Sequence, residues 1–586
     1  MCRRHTIPRE VLVSFILLAL FCLSPNLAWL AVATADARPV VEGLLPAILG
    51  LALLVFLSTR VWPAMLILAL LAPVSLAEVW YVIQFGKPTD AALFGVLLES
   101  NSAELLGFIS GLWGYFLLAT LLPLLVAVAV IRHLRDGLAR WPARPRWLIL
   151  GGSLSGLLLL NAEWLVPNLT ASDVSAIEDP SCNNIFSQES LQERLTSYSS
   201  SWPTGLPVRV LSVLEDRNTL SQARSKLESF RFDAALKPGG ARMDNEIIVL
   251  VIGESSRPDR WQIFGYNRET TPRLSSYRNL VVFRDVLSPW AWTRMSVPLI
   301  ITRKPARERA PFFPEKSLVA AFGEAGFHTA WLSNHNFLGM HESPTSVYAQ
   351  DANEVAFLNP ASYKDNGTYD DVLIPKLARQ LQSGNKKQFI VLHTMGSHFN
   401  YNHRYPVAFE RFTPSRPQSG PLSLHDQSQS ELASNAYDNS ILFTDHVLGE
   451  VISLLSGAGR PAALLYVADH GENLFADGCG LSGHGQETER DFRIPMVLWW
   501  SDDFAKKRPE KIKHAHQNAV KPVSTEVVFQ SLLDLADISF PDEDLSRSVF
   551  SERFDTRPRW VYASGGVYFD SATVDHGCNL AATARP

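Results

Sequence analysis

Tyr466-Val-Ala-Asp-His-Gly-Glu472 joins the end of an apolar run, which begins at Ala462, to a cluster of polar side chains. A short apolar run closed by polar residues is typical of a buried parallel strand, and ligands of open α/β sheets bind beyond the carboxyl ends of such strands. Asp469 and His470 are residue types that bind zinc-like metals. Neighbouring side chains on a strand point to opposite faces, so both reach one ion only if the strand ends at a turn. Gly471 can supply that turn.

The same pattern occurs at two earlier positions. Ile247-Ile-Val-Leu-Val-Ile-Gly253 is followed at once by Glu254, and Phe389-Ile-Val-Leu-His393 is followed by Met395-Gly-Ser-His398. A single Asp-His pair is more often an exposed surface pair than a ligand pair. Three apolar strands that each end in a carboxylate or an imidazole instead indicate a metal centre at one edge of a sheet. The predicted ligands come from these three strand ends: Glu254, His393 or His398, Asp469 and His470.

Alternating strand and helix patterns from residue 245 onward predict an α/β domain with a mostly parallel central sheet. The predicted strands are 246–252, 280–284, 328–333, 388–393, 462–467 and 494–500. The predicted helices lie near 316–326, 370–383, 431–456 and 524–536. A turn-rich tail from about residue 540 is expected to end with a strand pair at 560–562 and 566–568.

The 586-residue chain has a net charge of −5, and this charge predicts no nucleic-acid partner. Residues 1–166 differ from the rest because Leu, Ala and Val dominate them. About five apolar stretches in this part are long enough to span a membrane, which predicts an N-terminal five-helix transmembrane domain. The predicted spans lie near 11–31, 41–59, 62–83, 108–131 and 146–166.

Arginines in the short loops predict the orientation of these spans. They precede the first span, lie in a tight turn between the second and third, and lie between the fourth and fifth: Arg3, Arg4, Arg9, Arg60, Arg132, Arg135, Arg140, Arg144 and Arg146. With five spans, all these loops fall on the cytoplasmic side, and everything after residue 167 lies outside, in the periplasm if the cell has one. Alternatively, the first span is a signal peptide cleaved after Ala33-Thr-Ala35, which leaves the large domain on the same side.

Two connecting regions complete the predicted domain organisation. Residues 83–107 are apolar on one side and polar on the other, so we expect them to lie along the outer membrane surface. This placement brings Glu99, Asn101 and Glu104 to the level of the lipid headgroups, although an ordinary amphipathic connector has the same composition. The predicted domains are a transmembrane part, a linker with peripheral helices, and a soluble domain: 1–166, 167–240 and 241–586.

The five cysteines divide between the two parts of the chain. Cys2 and Cys22 belong to the membrane part, whereas Cys182, Cys479 and Cys578 lie in the part predicted to be outside, where disulfides persist. Three cysteines can form one disulfide and leave one over. The sequence does not indicate which two pair.

A zinc site that transfers phosphoryl groups needs a hydroxyl nucleophile at the metal. Ser255 and Ser256 follow Glu254 directly, and Thr293 lies in Ser288-Pro-Trp-Ala-Trp-Thr-Arg-Met-Ser-Val-Pro298, before an apolar helix start. Backbone N–H groups at a helix N-terminus suit a covalent phosphate, but a helix cap is the commoner role for threonine there. Spacing alone does not choose among these hydroxyls.

Val251-Ile-Gly-Glu-Ser-Ser-Arg-Pro-Asp-Arg260, followed by Phe264-Gly-Tyr-Asn-Arg-Glu-Thr-Thr-Pro272, closely resembles the opening motif of the membrane phosphoethanolamine transferases. These enzymes belong to the alkaline phosphatase/sulfatase superfamily. Further motifs match in the same order: Trp331-Leu-Ser-Asn334, His393-Thr-Met-Gly-Ser-His398, Arg404-Tyr-Pro406, Asp469-His-Gly-Glu472 and His484-Gly485. The five apolar spans and the stretch Glu99-Ser-Asn-Ser-Ala-Glu104 also resemble that family. The resemblance covers nearly the whole chain and implies an alkaline phosphatase/sulfatase-like soluble domain.

The resemblance implies a role for each candidate site residue. The implied metal ligands hold one Zn²⁺ tightly, with a second ion as an open alternative: Glu254, Thr293, Asp469 and His470. Thr293 becomes the nucleophile, and Ser255 and Ser256 become turn residues. Two catalytic histidines bind the phosphoryl group, a second metal or the leaving oxygen: His398 and His484. The implied substrate-binding residues are Asn334, His335, His393, Glu99, Asn101 and Glu104. The flanks of Thr293 depart from the lipid A enzymes, which have small residues and a cysteine there.

The implied reaction is transfer of phosphoethanolamine from phosphatidylethanolamine to an envelope glycan or glycolipid, such as lipopolysaccharide lipid A or core, through a phosphothreonine intermediate. The resemblance implies a monomeric, multi-pass protein of the bacterial inner membrane, in contact with membrane lipids, whose catalytic domain lies in the periplasm.

Three alternatives remain for the reaction. A membrane-anchored phosphodiesterase or sulfatase would use the same ligands with water as acceptor, but the nucleophile lacks the sulfatase modification motif. A phosphoglycerol transferase of the lipoteichoic-acid type has other residues around the glutamate ligand. A non-catalytic membrane protein is disfavoured by the intact ligand set.

Overall fold

The computed structural model describes most of the chain: residues 9–32, 39–58, 60–85, 88–89, 198–211, 229–238, 245–336, 344–359, 368–418, 422–423, 426–475, 479–574 and 578–582, with isolated positions between 117 and 155 and at 227. The chain divides into two units. The first comprises Met1–Leu98 with Ile109–Glu215, and the second comprises Glu99–Phe108 with Asp216–Pro586. The predicted domain boundaries at 166 and 240 stay predictions.

Apolar helices make up most of the described first unit. They are α1 (Arg9–Val32), a π-helical turn (Pro39–Leu44), α2 (Leu45–Leu57) and α3 (Val61–Phe85). Two of the helices in the described ranges, Arg9–Val32 and Val61–Ile83, are long and apolar enough to cross a membrane, with mean hydropathies of 2.3 and 2.1. They coincide with the first and third predicted spans, and α2 ends at Leu57, shortly before α3 begins at Val61.

The remaining predictions for this unit fall mostly outside the described residues. The fourth and fifth spans, 108–131 and 146–166, include only isolated described positions, so the five-span count stays a prediction. Glu99, Asn101 and Glu104 also lie outside the described ranges.

A buried polar network holds residues 198–211 against the apolar helices of this unit. Asn26 of α1 exchanges two hydrogen bonds with the Trp202 backbone, at 2.6 and 3.0 Å. Arg209 pairs with the Glu78 carboxylate of α3 at 3.2 Å, and Thr89 donates to the same carboxylate at 2.7 Å. A carboxylate within an apolar helix is tolerated when it is paired in this way.

A seven-stranded sheet forms the centre of the second unit. In chain order its strands are β1 (Glu246–Gly253), β2 (Leu280–Phe283), β3 (His328–Asn336), β4 (Glu354–Asn359), β5 (Lys387–His393), β6 (Ala462–Ala468) and β7 (Met496–Trp500). The spatial order is β2-β7-β6-β1-β5-β3-β4. Within this sheet β7 runs antiparallel to both of its neighbours, and the other pairs are parallel. The sheet is therefore mixed but mostly parallel.

Helices cover both faces of the sheet. They are α4 (Pro272–Ser276), α5 (Thr293–Ile301), α6 (Leu318–Glu324), α7 (Pro344–Ala349), α8 (Leu373–Leu381), α9 (Ser430–Gly457), α10 (Glu489–Phe492), α11 (Asp502–Lys507), α12 (Pro509–Asn518) and α13 (Val528–Leu535). Side chains alternate along β1: positions 248, 250 and 252 share a buried cluster with α6 and α13, whereas 247, 249 and 251 share one with α9. This arrangement explains why β1 is apolar at every position.

The predicted strands and helices of the soluble domain are confirmed, with ends that differ by a few residues. The sequence analysis did not predict β4, an edge strand with a short apolar run at 355–358, in which every side chain is at least partly exposed. The predicted tail pair is also confirmed, since Trp560–Val561 pairs antiparallel with Val567–Tyr568.

Cys479 and Cys578 form a disulfide, which settles the pairing that the sequence left open. Cys182 lies outside the described residues, and Cys22 is buried in α1 without a disulfide.

Replacing Lys304 by methionine is expected to stabilise the protein at neutral pH. The Lys304 side chain is buried, and its Nζ has no hydrogen-bond partner within the described ranges. Burial lowers the pKa of Lys304 from 10.5 to about 7, so the folded state disfavours an ammonium that the unfolded chain retains. The loss of stability caused by burying the charged Lys304 is largest below pH 7 and disappears as the pH rises towards 10.5.

We therefore expect Lys304→Met to raise the free energy of unfolding by roughly 2 kcal/mol at pH 7, with a smaller gain at pH 10. Thermal unfolding of the full chain in detergent at both pH values measures this difference. The exposed Lys507 supplies a matched control, since Lys507→Met removes a charge that folding does not bury. An equal gain from Lys304→Met at both pH values would contradict the argument.

Candidate active site

The register of the central sheet brings two carboxylates together. Gly253 at the end of β1 pairs with Ala468 at the end of β6, so the next residues, Glu254 and Asp469, are neighbours beyond the same edge. Glu254, Asp469 and His470 are all buried, and their ligand atoms lie within 4.8 Å of one another. Among the described residues, these three form the group of His, Cys, Asp or Glu side chains that is close enough to share one metal ion.

Asp469 has one oxygen fixed and one available. Its Oδ1 accepts hydrogen bonds from the backbone N–H groups of Ser255 and His470, at 3.1 and 2.7 Å. Its Oδ2 has no hydrogen-bond partner in the described part of the chain and lies 3.5 Å from Nε2 of His470. A buried carboxylate oxygen without a partner is costly, and a cation in the cluster would supply that partner.

His470 is oriented by its own turn. Its Nδ1 donates to the Gly471 carbonyl at 2.8 Å, which leaves Nε2 as the nitrogen that faces the cluster. This Nε2 lies 3.3 Å from Oε1 of Glu254. A Cβ on Gly471 would lie 1.9 Å from the Arg490 carbonyl oxygen, so the turn that the sequence assigned to Gly471 admits no larger residue.

Thr293 is the first residue of α5 and places its hydroxyl in the cluster. Oγ1 donates to Oε2 of Glu254 at 3.0 Å and lies 3.3 Å from Nε2 of His470. The side chain is half-buried, whereas Ser255 and Ser256 are buried. Ser255 donates to Glu254 at 2.7 Å, and Ser256 accepts from the Trp261 indole at 2.9 Å. Of the three candidate hydroxyls, Thr293 is the one that a substrate can approach.

The charges of the cluster fit a divalent cation. Burial and the neighbouring Glu254 raise the pKa of Asp469 to about 8. Burial by itself lowers the pKa of His470, but the carboxylates of Asp469 and Glu254 outweigh this effect and raise the pKa to about 10. In the absence of a metal, the cluster therefore retains protons that a cation would displace. Two carboxylates, an imidazole nitrogen and a hydroxyl are a ligand set that suits zinc.

Two further histidines border the cluster. The His484 ring centroid lies 4.4 Å from that of His470 and 6.0 Å from that of His398. Nδ1 of His484 lies 3.4 Å from Oε2 of Glu472, a fully buried carboxylate. Of the two predicted catalytic histidines, His484 therefore lies against the candidate ligand His470, with Glu472 at its Nδ1, and His398 lies on the other side of His484.

Trp292 packs directly against His484. The two rings meet edge to face with centroids 5.3 Å apart. A Cβ on Gly485 would lie 2.1 Å from the Trp292 ring, so the glycine makes room for the indole. Sequence reasoning gave no role to Trp292 or Glu472, because neither has a spacing that links it to His484.

The residues predicted to bind substrate occupy several different environments. His335 and His393 stack face to face with centroids 3.8 Å apart, and burial, with the nearby His335, holds the pKa of His393 well below its usual range. Asn334 is fully buried and donates to the Thr368 carbonyl and to Asp370, at 3.0 and 2.9 Å. Asp370 in turn accepts from the backbone N–H groups of residues 395 and 396. This geometry favours a positioning role for Asn334, and its contact with substrate stays a prediction.

The sequence model of the family described as Sulfatase matches residues 246–538, half of the chain. The chain belongs to the sulfatase family. This sulfatase-family protein is 24% identical over 523 residues to phosphoethanolamine transferase EptC of Escherichia coli (strain K12), covering 86% of the chain and 84% of that relative. It is 27% identical over 314 residues, 52% of each chain, to Kdo(2)-lipid A phosphoethanolamine 7''-transferase of the same strain.

Two solved structures resemble this sulfatase-family chain. One is the C-terminal periplasmic domain of Escherichia coli EptC in complex with Zn, with 26% identity and a TM-score of 0.51, covering 57% of this chain and 97% of that one. The other is the integral membrane protein lipooligosaccharide phosphoethanolamine transferase A of Neisseria meningitidis, with 20% identity and a TM-score of 0.68, covering 91% of this chain and 98% of that one. The predicted resemblance to the phosphoethanolamine transferases is confirmed.

Proposed function

We propose that this protein transfers phosphoethanolamine from phosphatidylethanolamine to a glycan or glycolipid of the cell envelope. The observation that carries the proposal is the Thr293 hydroxyl, 3.0 Å from Glu254 in a cluster with Asp469 and His470. Curated relatives over much of the chain are named phosphoethanolamine transferases, one of them with Kdo(2)-lipid A as its acceptor.

The residues that would hold one Zn²⁺ are Glu254, Asp469, His470 and Thr293. A zinc ion bound there would acidify a hydroxyl ligand and offset negative charge on the phosphoryl oxygens. We propose a single zinc ion because the described residues contain one group of candidate metal ligands, Glu254, Asp469 and His470.

The first displacement forms a covalent adduct on Thr293. The Thr293 Oγ1–H already donates to Oε2 of Glu254, which directs an oxygen lone pair away from the carboxylate. Oγ1 attacks the phosphorus of phosphatidylethanolamine in line as its proton passes to Oε2 of Glu254; a P–O bond forms, and the P–O bond to diacylglycerol breaks. The leaving oxygen takes a proton from an imidazole at the site, and we assign this role to His484 because it borders both Thr293's neighbour Trp292 and His470.

The second displacement regenerates the enzyme. A hydroxyl or phosphate oxygen of the acceptor attacks the phosphorus of the adduct while His484, now neutral, takes the proton of an attacking hydroxyl. The P–O bond to Thr293 breaks, and the threonine oxygen takes back its proton from Glu254. Glu472 faces Nδ1 of His484 and would stabilise the imidazolium that precedes the first step and forms again in the second.

The membrane placement follows from the substrates. Phosphatidylethanolamine and diacylglycerol stay in the bilayer, and α1 and α3 have the length and hydropathy of membrane spans. A disulfide in the catalytic unit fits an oxidising compartment. We therefore place the enzyme in the inner membrane as a multi-pass monomer with its catalytic domain in the periplasm.

Fluorescent phosphatidylethanolamine in mixed micelles tests the proposal with the full-length enzyme. Diacylglycerol release, together with an acceptor lipopolysaccharide whose mass grows by one phosphoethanolamine, is the expected result. Phosphatidylglycerol, which has the same acyl chains and no amine, is the matched control donor. Release of diacylglycerol with free phosphoethanolamine and no modified acceptor would favour a hydrolase. Preferential use of phosphatidylglycerol would favour a phosphoglycerol transferase.

Glu472→Gln is expected to lower kcat about 10- to 100-fold without changing the zinc content. The substitution keeps the size of the side chain but removes the charge that stabilises protonated His484. Steady-state kinetics with metal analysis measure both quantities. In a His484→Ala background the same change is expected to have little further effect, and two independent, additive losses would refute the link between Glu472 and His484.

A further inference from the structure

The C-terminal segment, residues 559–574 and 578–582, contacts both of the chain segments that carry the proposed nucleophile and the proposed acid. One segment, 285–293, ends at Thr293. The other, 479–492, contains His484. These contacts join residues far apart in sequence, and none of them is made with Glu254, Asp469 or His470.

On the nucleophile side, the C-terminal segment packs against the residues that lead into α5. The Tyr562 N–H donates to the Pro289 carbonyl at 2.9 Å, and the Tyr562 ring stacks on Trp290 with centroids 4.2 Å apart. Arg559 donates two hydrogen bonds to the Asp285 carboxylate, at 2.8 and 3.0 Å. The C-terminal segment therefore contacts residues 285–290, which lead along the chain to Thr293, and holds them in place.

On the histidine side, the same segment holds the outer edge of the loop that carries His484. Cys578 is bonded to Cys479, five residues before His484. The Leu580 N–H donates to the Glu487 carbonyl at 3.0 Å, and the Ser564 N–H donates to the Glu487 carboxylate at 2.7 Å. Glu487 has a φ of 62°, a strained conformation for a residue with a side chain, and these contacts maintain it.

The two sides meet in one buried apolar cluster. Side chains of the C-terminal segment pack there with residues of both active-site segments: Leu287, Ala291, Phe492, Val561, Ala563, Val567, Phe569 and Leu580. The inner edge of the His484 loop is held independently, because Asn473 donates to the Gly483 carbonyl at 2.9 Å and Asp491 accepts from the Gly485 N–H at 3.1 Å. Releasing the C-terminal segment would therefore loosen the loop rather than unfold it.

We propose that the C-terminal segment, locked by the Cys479–Cys578 disulfide, is a positioning element that sets His484 against Thr293. The inference rests on the proposed function, since it gives the disulfide a role in the proton-transfer step of that reaction. Zinc is expected to stay bound without it, because three of the four proposed ligands, Glu254, Asp469 and His470, are held by the ends of β1 and β6.

The test compares wild type with Cys578→Ser in the full-length enzyme. We expect Cys578→Ser to keep its zinc and its KM for the donor but to lose roughly 10- to 100-fold in kcat. Reduction of the wild type with a phosphine is expected to reproduce the loss and reoxidation to reverse it, while Cys578→Ser does not respond. Cys22→Ser, which removes a buried cysteine outside any disulfide, is the control and is expected to keep full activity.

A double-mutant cycle separates positioning from general stabilisation. If the disulfide acts through His484, then adding Cys578→Ser to His484→Ala lowers kcat by less than twofold, because the residue that it positions is already absent. Two losses that multiply would overturn the proposal. So would a Cys578→Ser enzyme with unchanged kcat, or one that loses its zinc.

Hydrogen exchange gives a readout that does not depend on the activity. On reduction, amides of 482–488 are expected to exchange faster while those of 253–256 and 468–471 keep their protection. Unchanged exchange in 482–488 would overturn the positioning role even if the enzyme used another donor. Conversely, a wild type that fails to use phosphatidylethanolamine but shows the expected exchange pattern would refute the proposed function and leave the positioning of the loop supported.

Discussion

Thr293→Ala is expected to abolish diacylglycerol release and the covalent adduct together. The Thr293 hydroxyl is the half-buried one of the three candidates and lies within 3.0 Å of Glu254 and 3.3 Å of His470. Without this oxygen the first displacement has no nucleophile, and we expect kcat/KM to fall roughly 10⁴-fold. The measurements are fluorescent diacylglycerol release and the intact mass of the enzyme after quenching with donor alone.

Thr293→Ser and Ser255→Ala are the controls for this result. Serine keeps a hydroxyl at the same position, so the adduct should still form, at a reduced rate. Ser255→Ala removes a hydroxyl that donates to the other oxygen of Glu254, and the adduct should persist there too. An adduct that survives in Thr293→Ala and disappears in Ser255→Ala would move the nucleophile to Ser255. Zinc should stay bound in all three variants because each of them keeps Glu254, Asp469 and His470.

The sequence predicts which edge of the sheet carries the site because each strand end is marked by residues that are adjacent in the chain. Each inner strand is an apolar run that ends at a polar residue, and parallel strands end at the same edge. The observed register then places Glu254 beside Asp469 without any further signal, since Gly253 pairs with Ala468. The turn at Gly471 also follows from a local rule, because two adjacent ligands need the strand to end.

The rest of the site depends on contacts that leave no local pattern. Glu472 and His484 are twelve residues apart in irregular structure, and no periodicity joins them. Asn334 is buried against Thr368 and Asp370, contacts that the sequence does not indicate, and its predicted contact with substrate stays a prediction. The disulfide joins residues separated by 99 positions, so only the three-dimensional structure could choose Cys578 as the partner of Cys479.

The unusual flanks of Thr293 also gain a physical reason. The sequence analysis found that these flanks depart from the small residues and cysteine of the lipid A enzymes, and this chain has tryptophans at 290 and 292. Trp290 stacks on Tyr562 of the C-terminal segment, and Trp292 fills the space left by Gly485 against His484. The large residues are therefore matched to partners elsewhere in the chain, which a comparison of the flanks alone cannot reveal.

Asp469→Asn is expected to remove zinc and, with it, activity. The side chain keeps its shape, and its Oδ1 can still accept the two backbone hydrogen bonds. The change replaces the charged oxygen that faces His470 with an amide that is a poor zinc ligand. We expect zinc content to fall from about one ion per chain to less than a tenth, with kcat at least ~10³-fold lower. Zinc analysis after gel filtration, with activity measured before and after zinc addition, tests this.

Asp445→Asn is the matched control for the loss of zinc. Asp445 is also buried and also accepts two backbone N–H groups, those of Arg273 and Leu274, both at 2.8 Å, but it is outside the ligand cluster. Burial raises the pKa of Asp445 to about 6, so the control shares the buried character of Asp469. It should keep its zinc. Full zinc occupancy in Asp469→Asn would instead remove Asp469 from the ligand set.

The melting temperatures of metal-free wild type and metal-free Asp469→Asn give an independent check on the role of Asp469, because the sign of their difference can be predicted at each pH. Burial and Glu254 raise the pKa of Asp469 from 3.8 to about 8, so ionisation of this group destabilises the metal-free fold progressively as the pH rises from about 4 to 8. Asparagine stays neutral throughout. Metal-free Asp469→Asn should therefore melt at a higher temperature than metal-free wild type at pH 8, with the difference shrinking towards pH 4. With zinc added at pH 8 the order should reverse, because ligand binding stabilises only the protein that binds it. One aspartate thus destabilises the metal-free fold and is required for the stabilisation that zinc provides, which is the behaviour expected of a metal ligand and not of a structural carboxylate.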